Sequence, residues 1–188
     1  MFLARLLGGC FARHGSEIDT QRANRDKGHT LEDGHKRLEN CIFCNVSVRN
    51  GFDVVWENDD FIAFRDHNPS ATHHFQVITK QHIDSVKSLS KDDVSIVGQM
   101  CDIGHRILEE LDVSPTLRRF GFHVPPFNSV MHLHMHVQAL PYRSVVRALK
   151  YPVVSSRGGL EKGFSWFVTA DQSIRILDKG RRIGVLPC

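Results

Sequence analysis

Three histidines alternate with apolar side chains between Met131 and Val137, and this alternation restricts the fold more than any other part of the sequence. A period of two is typical of a β-strand with one face in a core, because successive side chains point to opposite sides of a strand. The rings would lie on one face in steps of about 6.5–7 Å, and they belong to His132, His134 and His136. A solvated face that carries three histidines is the alternative, but the unbroken apolar face opposite favours a shared site. The stretch therefore predicts a metal site, a histidine nucleophile with its helpers, or both.

Length and composition indicate a single soluble domain. A chain of 188 residues can bury one sizeable core and is short for two ordinary domains. Its apolar fraction of 41% and charged fraction of 24% are typical of globular proteins. A formal charge of +3 does not predict nucleic acid as an obligate partner, and no run of 18 apolar residues predicts a membrane span. Five cysteines without a framework spacing favour a reducing compartment over a disulfide scaffold.

The periodicity along the rest of the chain predicts an α+β fold. Two short apolar runs separated by Asn58-Asp59 indicate a β-hairpin. Ser90 begins an amphipathic helix, with a near capping box, that extends to about Leu111. Further strands are predicted at the histidine stretch and at 74–79, 117–123 and 166–169. These elements predict an antiparallel sheet of about five strands with one long helix packed on it.

The two ends of the chain differ from this central part. Residues 1–39 are predicted to be a disordered or targeting extension, since the composition from Gly15 to Asn40 is polar without a sustained period. The domain is predicted to cover residues 40–172, and residues 173–188 to form a basic tail. The first fourteen residues lack acids and are compatible with a mitochondrial presequence, although an untargeted tail is the favoured interpretation. The cytoplasm, with the nucleus as a second place, is the predicted location, and the mitochondrion is the alternative.

Cys41 and Cys44 open the predicted domain with a C-x-x-C spacing. This spacing alone is a weak indication, since zinc sites, redox motifs and chance all produce it. Structural zinc sites usually have four Cys or His ligands, and His74 and His132, on separate predicted strands, could complete such a set. A pair of buried apolar cysteines is the alternative. The hypothesis is a structural Zn²⁺ and no organic cofactor.

The middle histidine of the trio, His134, is the candidate nucleophile. A neutral imidazole is nucleophilic at pH 7 when one ring nitrogen donates to an acceptor and the other presents its lone pair. His136 is then the candidate phosphate binder or proton donor to the leaving group. Phosphorus suits this arrangement, because its chemistry depends on positioning and on stabilising oxygen charge. Asn128 and Ser129, just upstream, could donate hydrogen bonds to those oxygens.

The stretch from His132 to Val137 resembles the signature of the histidine triad superfamily, in which histidines and apolar residues alternate. Gln138 stands where that signature has a further apolar residue. Other motifs follow in the order and spacing of the superfamily, namely Cys41–Cys44, Phe64–Pro69, His74–Ile78 and Lys80–Ile83. Gly121–Phe127 and Trp166–Thr169 are similar to the branch called histidine triad nucleotide-binding protein 3.

The resemblance implies a nucleotide-binding hydrolase of nucleoside 5′-phosphoramidates or aminoacyl-adenylates, which releases AMP through a nucleotidyl-histidine. By motif, His134 is the nucleophile, His136 its α-phosphate partner, Asp66 the ligand of the ribose hydroxyls and Ser129 the serine beside the phosphate. Purine nucleotides are the implied substrates. The implied zinc ligands are Cys41, Cys44, His74 and His132. Pairing into a homodimer through one continuous sheet is also implied.

Two other functions stay open from the sequence. One is a nucleotide-binding or scaffolding protein with incidental activity. The other is a DNA 5′-adenylate hydrolase, since Gly121-Phe-His123 resembles a DNA-repair branch of the superfamily. That branch carries a C-terminal zinc finger, and no such Cys/His set follows His136. Nucleic acid is therefore not expected as a partner.

Overall fold

The computed structural model describes residues 28–30, 36–156 and 158–188. Its strands are β1 (Gly28–Thr30), β2 (Lys36–Leu38), β3 (Val54–Glu57), β4 (Phe61–Arg65), β5 (Ala71–Thr79), β6 (Arg118–His123), β7 (His134–Tyr142) and β8 (Phe167–Thr169). Its helices are α1 (Val94–Glu109), α2 (Val145–Ala148) and α3 (Ala170–Asp178). Short 3₁₀ turns cover Ile42–Asn45, Val48–Asn50, Val86–Ser88, Lys91–Asp93 and Pro115–Leu117.

Among the described residues, six strands form one antiparallel sheet in the order β3-β4-β5-β7-β6-β8, and β1 pairs with β2 in a separate ribbon. The two nine-residue strands, β5 and β7, are neighbours inside the sheet. Their register sets Gln76 opposite His136 and Ile78 opposite His134. Side chains on one face of two paired strands meet across the ladder, so this register decides which residues surround each histidine. The predicted α+β fold is confirmed, with six strands in the main sheet instead of about five.

Helix α1 covers one face of this sheet. Ser90 and Asp93 form a capping box that ties down free backbone N–H groups where the helical segment begins. The buried residues of α1 recur at steps of three and four, namely Val97, Met100, Ile103, Gly104, Ile107 and Leu108. A Cβ atom at Gly104 would lie 2.9 Å from Val137 Cγ2, so a glycine lets the helix approach β7 closely.

The histidine stretch is a strand only from His134 onward. The ladder between β5 and β7 ends at the Ile78–His134 pair, because β5 itself stops at Thr79. His132 and Leu133 precede the strand but keep the predicted alternation in part, since Leu133, Met135 and Val137 are buried in the core behind it. The alternative of a solvated histidine face does not hold, because His132, His134 and His136 are buried as well.

The predicted basic tail is wrong, because residues 173–188 pack into the domain. The predicted boundary after residue 172 cuts through α3. Beyond it Ile176, Leu177 and Ile183 belong to the main core and expose no more than 2% of their surface. β8 pairs with β6, so β6 has a neighbouring strand on both sides. A few apolar side chains therefore pack this basic segment onto the core of the domain.

Most of the predicted N-terminal extension lies outside the described residues. Of its last residues, Lys36 accepts a hydrogen bond at its carbonyl from the His82 amide (2.8 Å), and Leu38 accepts one from the Cys41 amide (3.1 Å). This part of the extension therefore belongs to the domain. Within the described ranges, no helix combines the length and the apolar character that a membrane crossing needs.

Candidate active site and metal cluster

His134 has the geometry of a neutral nucleophile. Its Nδ1 lies 2.7 Å from the carbonyl oxygen of His132, which can only accept, so the ring proton is on Nδ1 and the lone pair on Nε2. The Phe43 ring packs edge-on against the imidazole at 5.3 Å. Burial lowers the pKa of His134 to about 4, which leaves the ring uncharged at neutral pH. The predicted nucleophile is thus held in the tautomer that such a role requires.

His136 lies between two further histidines, and neither contact follows from the alternation in the sequence. Its Nδ1 is 2.9 Å from Nε2 of His74, on β5. Its Nε2 is 3.1 Å from Nδ1 of His123, the last residue of β6. Burial lowers the pKa of all three rings. His136 therefore belongs to a chain of three imidazoles, while His134 lies beside it with a ring distance of 5.3 Å.

Asp66 follows β4 and faces this histidine chain. Its Oδ1 accepts from the Asn68 amide (2.8 Å) and its Oδ2 from the Gln76 side chain (2.7 Å), with His74 Nε2 at 3.5 Å. Burial opposes ionisation, but His74 and the two donors together lower the pKa of the carboxyl below its usual value. Asp66 is therefore an anionic acceptor at neutral pH, both of whose oxygens are already oriented.

Gln76 is a site residue that the sequence reasoning did not assign. It lies opposite His136 in the ladder and is buried. Its amide nitrogen donates to Asp66, and its Oε1 is buried without a hydrogen-bond partner in the described structure. The available signal was its position two residues after His74, on the same strand face.

A cavity of about 410 Å³ opens between the end of β4, the loop before β7 and the segment that follows α2. It is lined by Asp66, Gln76, His123 and His136. Ser129 also lines it, which agrees with its predicted place beside the phosphate. Phe127 and Trp166 form a tilted aromatic pair in the lining with ring centroids 5.7 Å apart. Lys150 and Tyr151 complete the wall.

The predicted substrate contact of Asn128 is not supported by the geometry. The Asn128 amide group donates to the Val130 carbonyl (2.9 Å) and to the Met131 sulfur (3.2 Å). Both donors are thus used within the loop itself. Asn128 and His134 line a small neighbouring pocket, and neither is among the residues that line the cavity of Asp66.

Cys41, Cys44, His82 and His132 converge as a cluster that could hold a metal ion. Nδ1 of His132 is 3.4 Å from Cys41 Sγ and 3.6 Å from Cys44 Sγ, and Nδ1 of His82 is 3.3 Å from Cys44 Sγ. Tetrahedral zinc, with bonds of about 2.3 Å to sulfur and 2.0–2.1 Å to nitrogen, sets these atoms about 3.5 Å apart. The four residues therefore fit a tetrahedral site.

The partners of the outer ring nitrogens strengthen this fit. His132 Nε2 donates to the Thr79 carbonyl (2.7 Å), and His82 Nε2 to Asp84 Oδ1 (3.1 Å). Each ring is thereby oriented with its Nδ1 lone pair toward the cysteines, as metal-binding histidines require. Burial raises the pKa of the Cys44 thiol to about 11, which a bound cation would reverse.

His74 is not part of this cluster, and its predicted role as a metal ligand is wrong. His74 lies opposite Gln138, four residues along β5 from the Ile78–His134 pair, about 13 Å in strand length. The second group of potential ligands, Asp66, His74 and His136, does not fit a metal. The Ser70 amide donates to His74 Nδ1 (3.1 Å), so the neutral ring carries its proton on Nε2, the atom that a metal would need.

The chain is similar to several known proteins. A family model described as "Scavenger mRNA decapping enzyme C-term binding" matches residues 40–151. The adenosine 5′-monophosphoramidase HINT3 of Xenopus tropicalis is 34% identical over 153 residues, 79% of this chain and 94% of that protein. The bifunctional adenosine 5′-phosphosulfate phosphorylase/adenylylsulfatase HINT4 of Arabidopsis thaliana is 42% identical over 123 residues, 63% of this chain and 83% of that protein.

Among solved structures, a HIT family hydrolase from Clostridium thermocellum is 26% identical and superposes with a TM-score of 0.51, covering 57% of this chain and 96% of that one. The chain therefore belongs to the histidine triad (HIT) superfamily and is close to its HINT3 proteins.

Proposed function

We propose that the protein is a nucleotide-binding hydrolase that cleaves nucleoside 5′-phosphoramidates or aminoacyl-adenylates and releases AMP. The observation that carries this proposal is His134, whose Nδ1 proton is fixed on the His132 carbonyl at 2.7 Å. Its ring lies 5.3 Å from that of His136, which lines a cavity together with Asp66 and Ser129. The activity named for the HINT3 relatives supports the same reaction.

In the proposed reaction, Nε2 of His134 attacks the α-phosphorus, and the bond from phosphorus to the leaving nitrogen breaks as the new N–P bond forms. The departing amine takes a proton from His136 Nε2. His136 can supply it because the bound anionic phosphate would raise the lowered pKa of this ring, so that it carries a second proton at this stage. Water then attacks the phosphorus of the nucleotidyl-histidine, the N–P bond breaks, and the water proton returns to His136. Asp66 would accept from the ribose hydroxyls, and Ser129 would donate to a phosphate oxygen. An acyl-phosphate substrate differs in one respect, since its carboxylate leaves without a proton.

A structural Zn²⁺ on Cys41, Cys44, His82 and His132 is the second part of the proposal. The ligand distances and the oriented outer nitrogens support it. When bound, the ion would add a cross-link between the segment at Cys41–Cys44, the turn after β5 and the start of the histidine stretch. His132 would thereby fix the carbonyl that orients His134.

Adenosine 5′-phosphosulfate is a second candidate substrate class. The Arabidopsis relative named for that activity supports it. Lys150 supports it as well, because it lines the cavity and its positive charge acts on His123, so that it would favour an anionic leaving group. Turnover of a panel with amine, carboxylate and sulfate leaving groups on AMP distinguishes the classes. Sulfate release faster than amine release would replace the first proposal, and slower release would reject the second.

Partners beyond the nucleotide stay predictions. A homodimer through a continuous sheet would have to use β3 or β8, the edge strands of the described sheet, since β6 is already paired on both sides. Light scattering of the purified protein measures this directly. Independence from nucleic acid is tested by binding to nicked adenylated DNA at two salt concentrations, because phosphate contacts weaken steeply with salt.

Replacing the nucleophile tests the main proposal. His134→Asn should abolish AMP release from adenosine phosphoramidate while AMP binding persists, because the amide can donate to the His132 carbonyl but cannot form the covalent intermediate. His105→Gln, at an exposed histidine on α1, is the control and should keep wild-type turnover. Intact-mass measurement during turnover should detect an AMP adduct on the wild type alone. Undiminished turnover in His134→Asn would refute the proposal.

A further inference from the structure

The three-imidazole chain has a fixed direction, which follows from the backbone groups at its two ends. At one end the Ser70 amide donates to His74 Nδ1 (3.1 Å), so the proton of neutral His74 is on Nε2. Asp66 Oδ2, an acceptor, lies 3.5 Å from that nitrogen and agrees with this assignment. Two nitrogen atoms lie near His74 Nε2, namely His136 Nδ1 at 2.9 Å and the Gln138 amide nitrogen at 3.4 Å. The nearer one, His136 Nδ1, is the hydrogen-bond partner.

At the other end the carbonyl of Lys150 lies 2.9 Å from His123 Nε2. A carbonyl oxygen only accepts, so the proton of His123 is on Nε2 and its Nδ1 is an acceptor. The Trp166 indole also donates to the Lys150 carbonyl (3.2 Å), which fixes that oxygen from the side of β8.

Both ends require the same state of the ring in the middle. His136 must accept at Nδ1 from His74 (2.9 Å) and donate from Nε2 to His123 (3.1 Å). The Tyr151 ring packs against all three imidazoles, with centroids 5.0 to 5.8 Å away, and is itself buried. Three neutral rings with one proton each therefore form a single directed chain shielded by an aromatic side chain.

We infer that His123 is a positioning residue for His136, holding its ring and keeping the Nε2 proton at the cavity wall. This inference rests on the proposed function for its kinetic consequence, because that proton is the one the leaving amine takes. His123 is itself held by the Lys150 carbonyl, which lies outside the stretch from Met131 to Val137. Without His123 the Nε2–H of His136 would lose its acceptor, and the ring could rotate toward water.

Two amide replacements separate the contacts of His123. In His123→Asn the side-chain oxygen occupies roughly the place of Nδ1 and can still accept from His136. In His123→Gln the amide reaches toward the Lys150 carbonyl but offers no acceptor at the Nδ1 position. His123→Phe keeps an aromatic ring and removes both contacts.

We expect His123→Gln and His123→Phe to lower kcat about fivefold to tenfold with little change in KM, as the loss of one oriented hydrogen bond allows. His123→Asn should restore most of kcat. The imidazole proton of His136 should be observable by ¹⁵N-resolved NMR in the wild type and in His123→Asn, and should exchange with water in the other two variants. Melting temperatures of the three variants show whether a kinetic loss reflects folding instead.

Wild-type kcat in His123→Phe, or equal damage in the Asn and Phe variants at equal melting temperature, would overturn the inference. A wild type that binds AMP but hydrolyses no tested substrate would refute the proposed function alone. In that case the NMR proton still decides the role of His123: its loss in the Gln and Phe variants supports the inference, and its persistence rejects it.

Discussion

Histidine side chains gather at both ends of the stretch from Met131 to Val137, but their surroundings differ. At the start, His132 and His82 direct Nδ1 toward two cysteine sulfurs and donate from Nε2 to oxygen acceptors. At the far end, His74, His136 and His123 bond to one another, and His136 and His123 border a cavity of about 410 Å³. The two sets of rings are fixed by different partners within one sheet.

The contrast shows that the second ring nitrogen decides what a histidine can do. An imidazole whose outer nitrogen donates to an oxygen presents a lone pair, which suits a metal or, in His134, an electrophile. An imidazole that accepts and donates within a chain of histidines can hold a proton in place. His134 lies between the two ends and depends on both, through the His132 carbonyl and the neighbouring His136 ring.

The strongest prediction concerns bound metal, which should depend on the cysteine end of the histidine stretch and not on the cavity end. His82→Asn should lose the ion, since it removes a ligand from the cluster, whereas His74→Asn should retain it. Elemental analysis of the purified variants gives metal per chain, which we expect to be about one equivalent in wild type and in His74→Asn, as for a single four-ligand site. Asp84→Asn should weaken metal affinity by about 10- to 100-fold, because it supports His82 from outside. Metal lost from His74→Asn and kept in His82→Asn would reverse the assignment.

The second prediction concerns residues 173–188 and their contribution to the stability of the domain. Leu177→Ala should reduce the free energy of unfolding by about 2–5 kcal/mol, since Leu177 is fully buried in the main core. Leu186→Ala, at a side chain that is 69% exposed, is the matched control and should change it little. Urea unfolding measures both. Metal per folded chain should stay the same in both variants, and a loss would mean that the two ends are not independent.

The smallest effect concerns pH. Burial lowers the pKa of His74 to about 4 from 6.5 and lowers those of His123 and His136. Between about pH 6.5 and pH 4 the unfolded chain binds more protons than the folded one. The contribution of these rings to the free energy of unfolding is therefore fully present above about pH 6.5 and decreases as the pH falls toward 4. His74 alone would account for up to about 2 kcal/mol between pH 6.5 and 5.

Urea unfolding of the metal-saturated protein at several pH values checks this. His74→Gln should show a shallower decline than the wild type, and His105→Gln, at an exposed histidine, the same decline. Equal slopes for the wild type and His74→Gln would show that His74 gives no pH-dependent stability.

Local patterns predicted much of the fold. The hairpin at Asn58-Asp59 forms as expected, because the Asn58 side chain accepts from the amides of Asp60 and Phe61 and closes the turn. The capping box at Ser90 and the apolar period behind it predicted α1. These features depend on residues a few positions apart. The packing of residues 173–188 was missed, since a basic composition hides the few apolar side chains that reach the core.

The site was predicted only in part, for a related reason. His134, His136, Asp66 and Ser129 were predicted because they belong to a short motif or a turn, and the last three of these line one cavity. His82 was missed and His74 misplaced, because strand alternation gives the face of a residue but not its position along the partner strand. The register that aligns Ile78 with His134 sends His74 to the far end, and the turn after Thr79 returns His82 to the cysteines.

Spacing alone predicts that three imidazoles share one side of a chain segment and that a C-x-x-C pair precedes them. The role of each ring follows from its contacts in the folded protein. That role depends on the second nitrogen of each ring, whose partners are a carbonyl, a carboxylate or another imidazole from strands and turns far away in the chain. Such partners follow from the register and ends of β5, β6 and β7, which local periodicity does not specify.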